Sequence, residues 1–268
     1  MIPALSNSKK GENMLFDKSM ADAAYIRGDY KKFAEICLEA AKDGSDIAAF
    51  NYGWCLYHGI GVAQNFSDAK SFFSYARDLE GGEACYNLAI MYMNGQGTAK
   101  DYKAAFRYMT YSADMGCIEA QLYLGMAYTL GYLIYPDILF ISMVPFHKPE
   151  MRDINAPLLM GDIQDAEIDE ELRYSVIRAD ARQAFEYFRE AAHHSPDYVE
   201  DLVAKGQFLY AKCYVDGMGT DYDRNKSLKL MLLAGKNGSA DAVQYLSSNG
   251  ITEKMLLEAV NGKNSTEE

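Results

Sequence analysis

Four histidines and five cysteines are the residues of this 268-residue chain best suited to chemistry. A zinc site needs ligands at helix or tight-loop spacing. His193 and His194 are adjacent and point different ways at a helix end, His147 is remote in sequence, and His58 stands alone. The cysteines, Cys37, Cys55, Cys85, Cys117 and Cys213, are odd in number and show no CxxC spacing. They fall at different slots of the pattern described below, which predicts buried free thiols in a reducing compartment. Nucleophilic catalysis needs a Cys or Ser beside a His that a third group holds. Cys55, three residues before His58 on a predicted helix, is the nearest approach to that arrangement, and no GxSxG or HExxH occurs. It reads as a packed thiol beside a loop histidine. Gly59-Ile60-Gly61 and Gly95-Gln96-Gly97 resemble phosphate-binding turns, but such a turn follows a strand and opens a helix. Both of these follow a predicted helix. No catalytic residue, metal or cofactor is expected.

The elements that must position any site come from a repeat. Ala84–Gly97, ACYNLAIMYMNGQG, has a counterpart beginning at Ala48 and a shorter one beginning at Ala120, at intervals of 36 residues. A fixed period of this size marks a solenoid in which each unit buries its apolar face against its neighbours. One unit reads as a helix over Ala48–Tyr57, a loop containing Gly59 and Gly61, and a second helix over Ser67–Leu79. Glycine at the first loop position suits a left-handed helix cap. Asp29, Asn65 and Asp101 stand where a second helix needs a short oxygen side chain for its free amides. Small residues at fixed slots, Gly53, Ala89 and Gly125 on first helices and Ala40, Ala76 and Ser112 on second helices, let paired helices approach closely.

Ala84, Leu88, Tyr92, Gly95, Gly97, Asp101, Ala105, Ser112-Ala113 and Gly116 together resemble the motif of the Sel1-like repeat family, relatives of tetratricopeptide arrays. Ala120, Leu124-Gly125 and Tyr128 match its first half, and the resemblance extends with breaks over Asp180–Gly250. It implies an all-α fold, a right-handed superhelical solenoid of about five helix-turn-helix repeats with one long inserted loop. It further implies a non-enzymatic scaffold that binds a protein or peptide on its concave face. Transferring the groove-facing offsets of tetratricopeptide units selects Trp54, Tyr57, His58, Ile90, Met93, Asn94, Met126, Thr129, Lys212 and Asp216 as partner contacts. For Trp54 and Met126 a place in the core between stacked units is the competing assignment. Some Sel1-like proteins are associated with β-lactam binding or hydrolysis, which implies a hydrolase acting on cell-wall or β-lactam-like substrates as one alternative, although the paired repeat cysteines of those members are lacking here.

The third repeat departs from the pattern. Its second helix should begin six residues after Gly131, yet the signature appears at Asp180-Ala181-Arg182-Gln183-Ala184. The insert, residues 133–179, opens with an apolar, proline-broken half that suggests an extended segment or short strand. Its second half has Ile168, Leu172 and Val176 at helical spacing, and that helix is expected to run on into the repeat's own second helix. An immunity or regulatory protein that blocks a toxin or enzyme through this insert is the other alternative. Seven extra residues around His193–Tyr198 precede the resumption of the pattern at Gly206, and Thr252 is placed to cap a terminal helix. The domain reading is therefore a flexible tail over 1–12, one solenoid over 13–260 and a polar tail over 261–268.

A hydrophobic fraction of 49% is enough for a large core. The net charge of −12 argues against nonspecific binding to nucleic acid or anionic membrane, while permitting a basic protein partner. The start of the chain lacks a signal-peptide pattern and no window reaches the length of a membrane helix, so a cytoplasmic location is expected.

Overall fold

The computed structural model describes residues 18–78, 82–131 and 177–251. The expectations for both tails, for residues 132–176 of the insert, for His147 and for a helix after Thr252 fall outside these. Among the described residues there are eleven helices and no strand. They are α1 (Lys18–Ile26), α2 (Tyr30–Lys42), α3 (Asp46–His58), α4 (Phe66–Tyr75), α5 (Glu83–Asn94), α6 (Tyr102–Asp114), α7 (Ile118–Leu130), α8 (Ala181–Ala192), α9 (Pro196–Asp216), α10 (Arg224–Lys236) and α11 (Ala240–Ser248). They fall into two compact units, the first ending at Cys117 and the second beginning at Ile118.

In the first unit, α1 pairs with α2, α3 with α4 and α5 with α6, and α2 packs on α3 as α4 packs on α5. The first helices α3 and α5 are buried on nearly every side, whereas α1, at the start of the array, buries only Ala21 and Ala24 among the described residues. In α5, Ala84 through Met91 and Met93 are all in the core. Second helices bury one stripe, such as Ala104, Ala105, Met109, Ser112 and Ala113 of α6, and expose the other face. Side-chain caps start each second helix: Asp29, Asn65 and Asp101 accept from the amides of Lys32, Asp68 and Ala104 at 2.9–3.1 Å. Gly59 and Gly95 close α3 and α5 in the left-handed conformation.

The second unit repeats this on α7–α8 and α9–α10, with α11 packed on α10. Its caps are Asp180 and Asp223, and Gly217 ends α9. The extra residues before Gly206 lengthen a helix instead of forming a loop. α9 starts with Pro196 in its first turn and runs 21 residues against 13 for α3. A proline there forfeits no helical hydrogen bond, since the first-turn amides have no partner in the helix.

The insert rejoins the repeat in register. In unbroken copies the amide of the second-helix cap donates to a carbonyl near the end of the first helix: Asn65 to Leu56 and Asp101 to Tyr92, both at 2.9 Å. Asp180 donates to Tyr128, the equivalent position, also at 2.9 Å. The aromatic stack behind that bond recurs too, Tyr92 on Tyr108 at 5.5 Å and Tyr128 on Tyr187 at 5.8 Å. One expectation is corrected here. Asp180 has extended backbone (φ −145°, ψ 99°), so no helix runs from the insert through into α8. Replacing residues 132–179 by Gln-Gly-Thr-Ala-Lys, the sequence that joins Gly95 to Asp101, is therefore expected to leave the far-ultraviolet helical signal and the melting temperature within a few degrees of the parent. Loss of cooperative melting would show that the insert is needed to hold α7 against α8.

Candidate functional site

The sequence-selected contacts divide by chemistry. Met93 and Met126 are 0% and 1% exposed, and Ile90 and Trp54 only 4% and 5%. These four are corrected to core residues. Trp54 lies against the His58 ring at 4.9 Å and near Tyr25 at 6.3 Å. The offsets assumed that one face of each first helix is open, whereas apolar side chains at those offsets turn into the packing between helices. The polar members keep some exposure: His58 and Asp216 are exposed, and Tyr57, Asn94, Thr129 and Lys212 are half-buried.

Two of the half-buried residues face the next repeat, and one of them, Tyr57, is hydrogen-bonded to it. Tyr57 Oη donates to Gln96 Oε1 at 2.6 Å, which links the end of α3 to the middle residue of the next Gly-x-Gly loop. In the second unit Thr129, the residue equivalent to Tyr57, lies 3.8 Å from Met218 Sδ, again the middle residue of the next such loop. Thr129 Oγ1 also donates to the Gly125 carbonyl at 2.8 Å. For Gln96 and Met218 the sequence offered only that the residue between the two glycines differs in each copy.

One slot remains open in each copy. It is the residue just before the capping glycine: His58, Asn94, Leu130 and Asp216 precede Gly59, Gly95, Gly131 and Gly217. Each of the four is exposed or half-buried, and each presents a different chemistry. Lys212, one turn earlier on α9, pairs with Asp216 at 3.2 Å and lies over the Tyr245 ring at 5.9 Å. His58 is flanked by Trp54 and by Tyr57 at 5.0 Å, and burial of that ring holds its pKa below the usual value.

The remaining candidates for chemistry are separated and unactivated. His193 Nδ1 lies 2.6 Å from the Arg189 carbonyl, whereas His194 Nε2 lies 2.8 Å from Gln121 Oε1 on α7. Among the described residues no group of three or more His, Cys, Asp or Glu is placed to hold a metal. All five cysteines are buried and free. Cys55 and Cys213 occupy the same slot, four residues before the capping glycine, which corrects the expectation that no two share one. Burial pushes the Cys55, Cys85 and Cys213 thiols up to about 12, the opposite of what a nucleophile requires. A thiol-reactive disulfide such as DTNB at pH 8 is therefore expected to find no fast-reacting thiol in the native protein and five after denaturation. Rapid modification of one native thiol would reopen a cysteine-based reaction.

The profile of the Sel1 repeat matches five stretches of the chain, residues 46–80, 82–117, 118–139, 172–195 and 204–239. The split between the third and fourth coincides with the insert. Among solved structures, a Sel1 repeat protein from Oxalobacter formigenes is similar at a TM-score of 0.60 and 20% identity. The match covers 87% of this chain but only 56% of that one, so the chain spans little more than half the length of that relative. At that identity the likeness bears on the fold alone. A protective antigen of uropathogenic Escherichia coli, described as displaying an SLR fold, matches at 19% identity with a TM-score of 0.31, over 90% of this chain and 66% of the other. No curated protein matches the chain.

Proposed function

This chain belongs to the Sel1 repeat family, and we propose that it is a non-enzymatic scaffold that binds a protein or peptide segment along its first-helix face. Sel1 repeats generally mediate protein–protein interaction. The observation that carries the finer reading is the open slot before each capping glycine. Around it, glycines, caps and core residues are fixed by packing, while the slot itself changes from imidazole to carboxamide to aliphatic to carboxylate. A rigid frame carrying varied side chains at regular positions is how helical-pair arrays distinguish one partner from another.

In this reading His58, Asn94 and Asp216 contact the partner, with Lys212 holding the Asp216 carboxylate. Tyr57 acts by locking one repeat to the next, and Thr129 packs beside Met218 of the following loop. The buried Trp54, Ile90, Met93 and Met126 support the face from beneath. A photo-crosslinking amino acid placed at position 58, 94 or 216 in the native host is expected to trap one common partner band. The same group at Glu39, exposed on a second helix, is expected to trap none. Equal labelling from Glu39 would remove the first-helix face as the binding surface.

A further inference from the structure

The outer side of the first unit carries a feature that the repeat does not explain. Arg77 and Asp78 just after α4, Cys85 of α5, and Arg107, Tyr108 and Tyr111 of α6 line a cavity of about 400 Å³. Its floor is repeat scaffold. Tyr108 stacks on Tyr92 with rings 9° from parallel, and Cys85 Sγ donates to the Arg77 carbonyl at 3.2 Å, fixing the chain where Arg77 leaves the helix. Its rim is not. At the slots of Arg107 and Tyr111 the fourth helical pair has Glu186 and Glu190, while Tyr187 keeps the stack at the slot of Tyr108.

The charges at the rim are available. Arg107 is exposed and has no carboxylate within ion-pair distance among the described residues. Among the described residues Arg77 pairs with Asp78, Nε to Oδ1 at 3.6 Å, and the pair is more than half exposed, so the guanidinium fork has further N–H donors to offer a second acceptor. Tyr111, one helical turn from Arg107, is 46% exposed. Two guanidinium groups beside two phenol rings suit a carboxylate flanked by a planar or apolar side chain, since a guanidinium binds carboxylates in a fork and also stacks on rings. In a chain of net charge −12 this is a local reversal of sign, and charge complementarity names the occupant.

We propose that this cleft docks an acidic segment of a protein partner, with a carboxylate taken by Arg77 and Arg107 and its neighbouring side chain laid on Tyr108 and Tyr111. This rests on the reading that the array binds proteins and adds a second, acid-selective contact on the second-helix side. It differs from the basic partner that the overall charge would favour.

The test is fluorescence anisotropy on the full chain with a labelled hexapeptide of alternating Glu and Tyr, against its Gln-Tyr analogue. The acidic peptide is expected to bind at least about tenfold more tightly than the analogue, from charge-assisted hydrogen bonds. Arg77→Gln and Arg107→Gln are each expected to weaken it about tenfold. Arg107→Lys should fall between, because it keeps the charge and loses the fork. Asp78→Asn should tighten binding by removing a competing carboxylate. All three positions are on exposed side chains, and circular dichroism checks that the four variants fold. Equal binding of both peptides, or indifference to the arginine changes, overturns the proposal. So does displacement by inorganic phosphate together with equal binding of a Glu-Ala peptide, which would mark a simple anion site. None of these outcomes touches crosslinking from positions 58, 94 and 216, so the cleft and the first-helix face fail separately.

Discussion

Gly219→Ala is expected to destabilise the second unit by roughly 2–6 kcal/mol, and Gly61→Ala to do the same to the first. Each is the second glycine of its Gly-x-Gly loop, and each sits at positive φ, 69° and 72°. A left-handed alanine alone costs about 1–2 kcal/mol. The larger part is steric. A Cβ on Gly61 would collide with the carbonyl of Tyr30, the first residue of α2, and come within 2.8 Å of the Lys31 amide. A Cβ on Gly219 would collide with the Ala181 carbonyl at the start of α8 and lie 2.8 Å from Phe185 Cβ. Gly97 repeats the contact against Phe66, the first residue of α4, at 2.5 Å. Thus the second glycine is where one repeat's loop rests on the first turn of the previous repeat's second helix. The obstacle is backbone, which has no rotamer with which to give way. Gly28→Ala supplies the control: φ is 75°, yet nothing lies within 4 Å of its would-be Cβ. Urea unfolding should show Gly28→Ala losing only the conformational part. Equal losses at Gly28 and Gly61 would mean that the loop does not bear on its neighbour.

The second large effect is expected at residues first assigned to the partner surface. Met93→Ala should cost about 2–5 kcal/mol and Trp54→Ala about 3–5 kcal/mol, since each removes atoms from a packed interior that refills only in part. Met93 is fully buried in α5, and Trp54 is wedged between Tyr25 and His58. The measurement is again urea unfolding of the purified variants. A Met93→Ala protein with parental stability that had lost its partner would return Met93 to the binding surface.

The fold was legible because its signals repeat. A capping Asp or Asn, a capping glycine and a small residue recur at intervals that only stacked helical pairs explain, and Asp180 could be placed as a helix start across a long insert on that basis. The finer surface was less legible. Groove offsets borrowed from related arrays mark a direction on a helix, but α3, α5 and α7 are covered almost all round, and side-chain chemistry then decides. Ile90, Met93 and Met126 sink into the packing, whereas His58, Asn94 and Asp216 keep contact with solvent. The tie from Tyr57 to Gln96 and the Arg77–Arg107 cleft join residues 39 and 30 positions apart. No local pattern links them, and the only hint was that their residue types break the repeat.

The most direct test of the scaffold account is capture of the native partner by the triple variant His58→Ala, Asn94→Ala, Asp216→Ala, measured beside the parent at matched concentration. These side chains lie at the open slot, and of the three His58 packs on the rings of Trp54 and Tyr57, so the variant is expected to stay folded with a melting temperature several degrees below the parent while capturing less than about a tenth as much partner. The Asn94→Ala, Asp216→Ala pair, which leaves His58 on Trp54, should lose most of the capture with parental melting, and undiminished capture by the folded triple variant would contradict the account.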